Sequence, residues 1–270
     1  MSRMFDDLRK ARQRRRKITK RSKSAEVPNP PASRALAEGI SAAVSTAVEE
    51  PRVAVGMKGE IAKDFVKELG MLRNSLEPIF EQDECCSLLF TSAANGEGTT
   101  TIATNFARFL AMQGMTRVLV VEMNARNPAF ASEFSMNGDR GVTDYFTSRT
   151  ELTSLVQPLE GINLDVLHIG TPEPTTIQVN LSKVFPRFMA EARRHYDTVI
   201  IDAPSIINFP ETPAMAPHVS GVVLVVHTRK TKREVVQRAM DAIRNFDGRI
   251  LGVVLNRKRY YIPNFIYKRI

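Results

Sequence analysis

The sequence predicts an α/β fold in which a parallel β-sheet is covered by helices on both faces. From Glu60 onward, short apolar runs alternate with longer segments of helical periodicity, and this alternation is typical of parallel sheets. The apolar runs, predicted as strands, lie near residues 87–92, 117–122, 163–168, 197–202, 221–227 and 250–255. The predicted helices lie near residues 101–113, 143–156, 177–194, 210–217 and 230–245. One α/β domain over residues 60–257 therefore accounts for most of the 270-residue chain.

The chain begins with a basic tail over residues 1–23. Eleven of the 38 Lys and Arg residues lie there beside two acidic ones, so this tail carries the formal net charge of +9 and the rest is balanced. Met4, Phe5 and Leu8 recur at helical spacing, which fits either an amphipathic interfacial helix or a disordered basic segment. A tail of this charge favours phosphate-bearing surfaces, either anionic lipid or nucleic acid.

Residues 24–59 are predicted to be a flexible linker that leads into the first helix. Pro28, Pro30 and Pro31 disfavour a stable helix there. An apolar stripe with helical spacing then begins at Ile61. No apolar run approaches the ~18 residues needed to span a bilayer, and the N-terminus lacks the apolar core of a secretory signal. The adjacent Cys85 and Cys86 lack the spacing of a metal site and are predicted to be small residues of the core. From these observations together, we predict a cytoplasmic protein.

The first predicted strand leads into a loop with the form of a phosphate-binding loop. Residues 91–101 read T-S-A-A-N-G-E-G-T-T-T, and the pattern G-x-x-x-x-G-K-[ST] fits with Ala93 in place of its first glycine and Thr99 in place of its lysine. Backbone N–H groups at the start of the following helix attract anions, and the Thr100 hydroxyl could ligate Mg²⁺. The alternative is an inherited turn that binds nothing. The predicted cofactor-binding residues of the loop are Gly96, Glu97, Gly98, Thr99, Thr100 and Thr101.

Carboxylates end two further predicted strands. Glu122 ends the second strand and is followed by Asn124, and Asp202 ends the fourth. A carboxylate at the end of a buried strand is costly unless it has a partner or a metal. Because ligands of such sheets bind at the carboxyl ends of the strands, we predict Asp202, Glu122 and Asn124 as catalytic residues. Thr100 and Asp202 are the predicted Mg²⁺ ligands, and the alternative for Asp202 is a capping role.

These motifs together resemble the cytoplasmic domain of bacterial tyrosine autokinases, the BY-kinases, in the MinD/ParA-like branch of P-loop proteins. The family motifs T-S-x-x-P-G-E-G-K-S-T, D-A-D-L-R-R-P, I-I-D-T-P-P and G-V-V-L-N correspond to residues 91–101, 122–128, 200–205 and 252–256. The resemblance implies a P-loop NTPase-like fold with ATP or ADP and Mg²⁺ as cofactors, and Asn256 facing the adenine base. It further implies a membrane polysaccharide copolymerase, or chain-length regulator, as partner. Exopolysaccharide or capsule synthesis and export is the implied pathway.

The same resemblance points to the C-terminal tail, residues 258–270, because the family ends in a tyrosine cluster. The phosphorylation candidates are Tyr260, Tyr261 and Tyr267. The alternative is that these aromatic residues only dock on a partner.

The departures from the family motifs occur at residues that the family uses for phosphoryl transfer. Thr99 and Ala94 stand where the family and its ParA relatives have lysines, and Glu122 and Asn124 stand where it has aspartates. Because phosphoryl transfer depends on positioning and charge stabilisation, these losses predict weak nucleotide binding or none. The favoured interpretation is a degenerate autokinase-like subunit, a pseudoenzyme. The alternatives are an active ATP-dependent tyrosine autokinase and a ParA/MinD-like positioning ATPase.

The favoured interpretation also predicts where the protein acts. We expect it at the inner face of the plasma membrane, attached to anionic lipid through residues 1–23 and to the copolymerase. A homo-oligomer is a further expectation, although only Arg73 matches the family's oligomerisation helix. Nucleic acid is not an expected partner.

Overall fold

The computed structural model describes residues 60–257 except 115, 137 and 149. These residues belong to one compact unit. The predicted basic tail, the linker and the tyrosine-containing C-terminal tail lie outside the described residues, so they remain predictions.

Helices and strands alternate along the described chain. The helices are α1 (Glu60–Ser75), α2 (Glu77–Gln82), α3 (Thr99–Met112), α4 (Phe130–Glu133), α5 (Val142–Thr147), α6 (Pro174–His195) and α7 (Arg233–Arg244). The strands are β1 (Cys86–Ser92), β2 (Val118–Glu122), β3 (Gln157–Leu159), β4 (Leu164–Leu167), β5 (Thr198–Asp202), β6 (Gly221–His227) and β7 (Ile250–Asn256). Two 3₁₀ helices span Leu152–Ser154 and Thr212–His218.

The sheet confirms the predicted fold class with one correction. Its strand order is β3-β4-β2-β5-β1-β6-β7, and every pairing is parallel except that of β3 with β4. Strand β3 was not predicted because its three residues Q-P-L are too few for a periodic pattern. Pro158 within it is tolerated because β3 is an edge strand. The sheet is therefore mostly, not wholly, parallel.

Both faces of the sheet are packed against helices. Successive side chains of a strand point to opposite faces, so Leu88 and Phe90 belong to one core layer and Leu89 to the other. Phe106 of α3 is buried in the first layer, and Phe188 of α6 is buried in the second. Burial on both faces explains why the central strands are uninterrupted apolar runs in the sequence.

Two predicted helices are shorter than expected. The helix predicted over residues 143–156 ends at Thr147, because Ser148 is extended and its hydroxyl donates to the Asp144 carbonyl oxygen at 2.6 Å. The helix predicted over residues 210–217 is a 3₁₀ helix that contains Pro213 and Pro217. Proline lacks the N–H group that an α-helix needs, so this segment does not form one.

Candidate functional site

The loop between β1 and α3 has the conformation of an anion-binding loop. Gly96 and Gly98 have φ angles of 78° and 88°, in the left-handed region that favours glycine. A Cβ atom on Gly98 would lie 2.2 Å from the Asn256 side-chain nitrogen, so no larger residue fits without movement. The first α-helical bond runs from the Ile102 N–H to the Gly98 carbonyl oxygen at 3.1 Å. The N–H groups of residues 99–101 therefore have no partner within the helix and can bind an anion.

The lysine position of this loop is occupied by a neutral side chain. Thr99 is buried, with 9% of its surface exposed. The ion pairs found among the described residues are Arg73–Glu77, Arg108–Glu133 and Arg244–Asp241. None of them involves the loop, so no cation is ion-paired to it in that part of the chain.

The next residue, Thr100, contacts the carboxylate that ends β5. The Thr100 hydroxyl donates to Asp202 Oδ2 at 2.6 Å. Asp202 is only 1% exposed, and its Oδ1 has no hydrogen-bond partner among the described residues. Burial raises the pKa of Asp202 to about 7, opposed by the Thr100 bond and aided by the nearby Glu122 charge. The structure thus brings the two predicted Mg²⁺ ligands together.

These two residues fit a Mg²⁺ site. A P-loop hydroxyl and a strand-end aspartate hold the metal in P-loop proteins, and the unpartnered Oδ1 leaves a free acceptor. No group of three or more His, Cys, Asp or Glu side chains suited to a metal occurs within the described ranges. This is compatible with Mg²⁺, which takes one or two protein ligands and completes its shell with water and phosphate oxygens.

Glu122, a predicted catalytic residue, lies beside Asp202 and is bonded to the backbone. It pairs with Asp202 across the sheet, but its carboxylate is fully engaged by backbone N–H groups. Oε1 accepts from Ala129 and, at 2.9 Å, from Phe130, and Oε2 accepts from Ile169 at 3.1 Å. Burial raises its pKa, and the three N–H donors oppose that rise. Both oxygens stabilise the backbone around α4 and the end of β4, which leaves Glu122 poorly available to a metal or proton.

Asn124 is also outside the Thr100–Asp202 contact. Its Oδ1 accepts the Asn127 N–H at 3.3 Å and closes a local turn. It lines a small cavity of about 30 Å³ together with Arg126, whose guanidinium lies 5.2 Å from the centre of the Phe209 ring. The predicted catalytic trio is therefore divided, with only Asp202 bonded to the phosphate loop.

Glu97 supports the loop from inside, a role that the sequence analysis missed. Its side chain is 2% exposed, Oε2 accepts the Ala94 N–H at 3.0 Å, and Oε1 accepts the His227 N–H at 3.3 Å and the Thr231 hydroxyl. Asn256, predicted to face adenine, donates its Nδ2 to the Glu97 carbonyl oxygen at 2.8 Å. The carboxylate thus ties the loop to the end of β6. In the sequence, the only signal of this role was an acidic residue between two glycines.

The loop is further bonded to the segment that follows β5. The Ile206 N–H donates to the Ser92 carbonyl oxygen at 2.8 Å, and the Ser205 hydroxyl donates to Asn95 Oδ1 at 2.5 Å. These bonds fix the loop against the strand that carries Asp202. The site is a single connected unit at the carboxyl ends of β1, β5 and β6.

Comparisons with known proteins find relatives among bacterial tyrosine-protein kinases. No family model matches the chain. It is 29% identical over 188 residues to the tyrosine-protein kinase YwqD of Bacillus subtilis, covering 70% of this chain and 79% of that protein. It is 25% identical over 197 residues to the tyrosine-protein kinase CpsD of Streptococcus agalactiae, covering 73% and 85%.

Solved structures give the same result. The VpsO kinase domain is 27% identical with a TM-score of 0.65, covering 74% of this chain and 98% of that domain. The chimerical protein CapA2B2 is 25% identical with a TM-score of 0.65, covering 75% and 87%. The MinD protein of Pyrococcus horikoshii, complexed with Mg-ADP, shares the fold with a TM-score of 0.54 at 17% identity, covering 68% and 76%. The resemblance to bacterial tyrosine kinases and the P-loop fold class are both confirmed.

None of the helices within the described residues combines the length and apolar character needed to cross a bilayer.

Proposed function

We propose that this chain, a homologue of bacterial tyrosine-protein kinases, is a degenerate kinase-like subunit of exopolysaccharide or capsule synthesis and export. It acts by binding a membrane polysaccharide copolymerase at the inner face of the plasma membrane, and not by phosphoryl transfer. The observation that carries this proposal is the neutral, buried Thr99 at the lysine position of a phosphate loop that keeps Gly96, Gly98 and Thr100.

The charge balance of the site opposes catalysis. Three buried carboxylates, Glu97, Glu122 and Asp202, lie in or beside the loop, and none is ion-paired within the described ranges. In the transition state of phosphoryl transfer, negative charge is spread over the phosphoryl oxygens and develops on the leaving group, and enzymes stabilise it with cations and preorganised donors. Removal of one such donor from an active site costs roughly 10²–10³ in rate. Loss of the lysine together with diversion of Glu122 therefore favours a site without useful turnover.

The binding half of the site is retained. Thr100 and Asp202 would hold Mg²⁺, and the helix N-terminus would accept phosphate oxygens. When bound, Mg²⁺ would neutralise part of the phosphate charge. We expect an affinity for Mg-ADP near the millimolar range, about −4 kcal/mol, because the strongest cationic contact is missing.

The Thr100–Asp202 pair also favours a second candidate, an active ATP-dependent tyrosine autokinase. It is the part of the site that positions the metal, and the unpartnered Oδ1 of Asp202 would serve it. In that case another cation must replace the lysine, and the acceptors would be Tyr260, Tyr261 and Tyr267.

One experiment separates the two candidates. The full chain is incubated with Mg-ATP and probed with an anti-phosphotyrosine antibody, with Asp202→Ala as control. The proposed function predicts no signal from the unmodified chain. A signal that disappears in Asp202→Ala would establish the active kinase instead.

The same variants test the role in the cell. Deletion of the gene should reduce or alter secreted polysaccharide, whereas Asp202→Ala should leave the polymer largely normal because no phosphoryl transfer depends on it. An equal defect in both strains would contradict a role based on binding alone.

A further inference from the structure

The turn after β6 carries a dense cluster of positive charge at the site edge of the sheet. Four of the residues between 229 and 233 are cationic and exposed, and Glu234 is the one acidic residue beside them. Neither Lys230 nor Lys232 forms an ion pair with any residue of the described ranges. Their charges are therefore available to a ligand.

Thr231 fixes this turn beside the phosphate loop. Its hydroxyl donates to the Glu97 carboxylate, and its N–H donates to the His227 carbonyl oxygen at 3.2 Å. Lys230 and Lys232 flank Thr231, so their Cα atoms are about 3.8 Å from the Cα atom of Thr231. Each ammonium group stands on a flexible four-carbon stem, and this places the loop within its reach.

The backbone of the turn is held in an unusual conformation. Arg229 has a φ angle of 68°, which non-glycine residues rarely adopt and which persists only where surrounding contacts enforce it. The preceding Thr228 N–H donates to the Asn256 carbonyl oxygen at 3.0 Å, which joins the turn to the end of β7. The turn is thus bonded to both the phosphate loop and the neighbouring strand.

An independent observation points to a ligand at the same edge. Asp202 is 99% buried at the N-terminus of α3, and its Oδ1 has no partner in the described part of the chain. A ligand that binds together with Mg²⁺ would give that oxygen a partner. Arg126 is a poor source of the missing cation because its guanidinium lies over the Phe209 ring, on the side of the loop that follows β2.

We infer that Lys230 and Lys232 supply the positive charge that Thr99 does not, so that the site binds the diphosphate of a Mg²⁺-complexed nucleotide from the β6 side. The inference rests on the proposed function and deepens it: the phosphate loop is kept for binding after transfer has been lost. The positive charge then comes from the turn after β6, which Glu97 anchors to the phosphate loop, and not from the loop itself.

The test is calorimetric titration of the full chain with Mg-ADP and with Mg-pyrophosphate at low salt. The double variant Lys230→Gln/Lys232→Gln should weaken both ligands by about tenfold or more, as expected for charge-assisted contacts to phosphate. Pyrophosphate lacks the base, so a parallel loss assigns the contacts to phosphate oxygens. The matched control Arg117→Gln/Arg249→Gln removes two exposed charges at the amino ends of β2 and β7, the opposite edge, and should keep the original affinity.

A restored lysine sharpens the test. Thr99→Lys should strengthen binding of Mg-ADP, and in that background the Lys230→Gln/Lys232→Gln change should have a smaller effect, because both cations serve the same phosphate. Failure of the unmodified chain to bind Mg-ADP, or equal affinity of the double variant, would overturn the inference. Phosphotyrosine formation would overturn the proposed function alone, so the two failures are distinguishable.

Discussion

Replacement of the buried Asp202 by asparagine should change how the stability of the protein depends on pH. Asp202 is 1% exposed, and burial raises its pKa from 3.8 to about 7. An aspartate with a raised pKa contributes full stability below its unfolded pKa of about 4, and that contribution is lost as the pH rises through 7. Each unit of pKa difference corresponds to about 1.4 kcal/mol, so the total loss is about 4 kcal/mol. Roughly 3 kcal/mol of it falls between pH 5 and pH 8.

The asparagine variant lacks this titration but keeps an acceptor for the Thr100 hydroxyl. Urea unfolding followed by circular dichroism at pH 5, 6, 7 and 8 gives the free energy of unfolding of both proteins. Between pH 5 and pH 8, the free energy of unfolding of the variant should rise by about 3 kcal/mol relative to that of the unmodified protein, because all other titrating groups are shared. Absolute stability is less informative, since the new amide nitrogen faces the position of the unpartnered Oδ1.

Magnesium provides the second arm of this experiment. Mg²⁺ stabilises the ionised carboxylate, so it should restore part of the stability of the unmodified protein at pH 8 and leave Asp202→Asn unchanged. Asp241→Asn, which removes an exposed carboxylate ion-paired with Arg244, controls for the loss of one negative charge. Parallel pH curves for the unmodified protein and Asp202→Asn would refute the assignment of a raised pKa to Asp202.

Three further predictions follow from the same structure, and a fourth follows from the sequence of the N-terminal tail. Glu122→Ala should lower the free energy of unfolding by about 3 kcal/mol or more in urea titrations, because it leaves three backbone N–H groups without an acceptor, and a loss below about 1 kcal/mol would contradict this. Glu97→Ala should weaken Mg-ADP binding about as much as loss of both turn lysines, because it removes the carboxylate that anchors the turn to the loop. An unchanged affinity in Glu97→Ala would argue against the anchoring role. Burial raises the pKa of Cys85 to about 11 and of Cys86 to about 12, so neither thiol should react with a thiol reagent at pH 8 until urea unfolds the chain. Deletion of residues 1–23 should abolish salt-sensitive co-sedimentation with anionic vesicles, since each basic residue near such a surface contributes roughly 1 kcal/mol; binding that survives the deletion would locate the membrane contact elsewhere.

The linear order of residues predicted the central elements because their signals are local. The apolar runs around Leu88, Val120 and Ile200 are continuous since these strands are buried on both faces, and the glycines at 96 and 98 mark a backbone that only glycine adopts easily. The lysine replaced by Thr99 is likewise visible in the sequence without coordinates. Local signals fail at β3, where three residues carry no period, and at the proline-containing segment Thr212–His218.

Only the tertiary structure decided which polar side chains share the site. Asp202 and Glu122 look equivalent in the sequence, because each ends a buried strand, and they are paired across the sheet. Yet Asp202 accepts a hydrogen bond from Thr100, and its Oδ1 has no partner among the described residues. Both oxygens of Glu122, in contrast, accept hydrogen bonds from backbone N–H groups of residues that are up to 47 positions away. Likewise, the contact of Glu97 with Thr231 joins residues 134 positions apart. Residue type and spacing predict which groups end at the same edge of a sheet, but the direction of each carboxylate depends on donors that only the folded chain brings within hydrogen-bond distance.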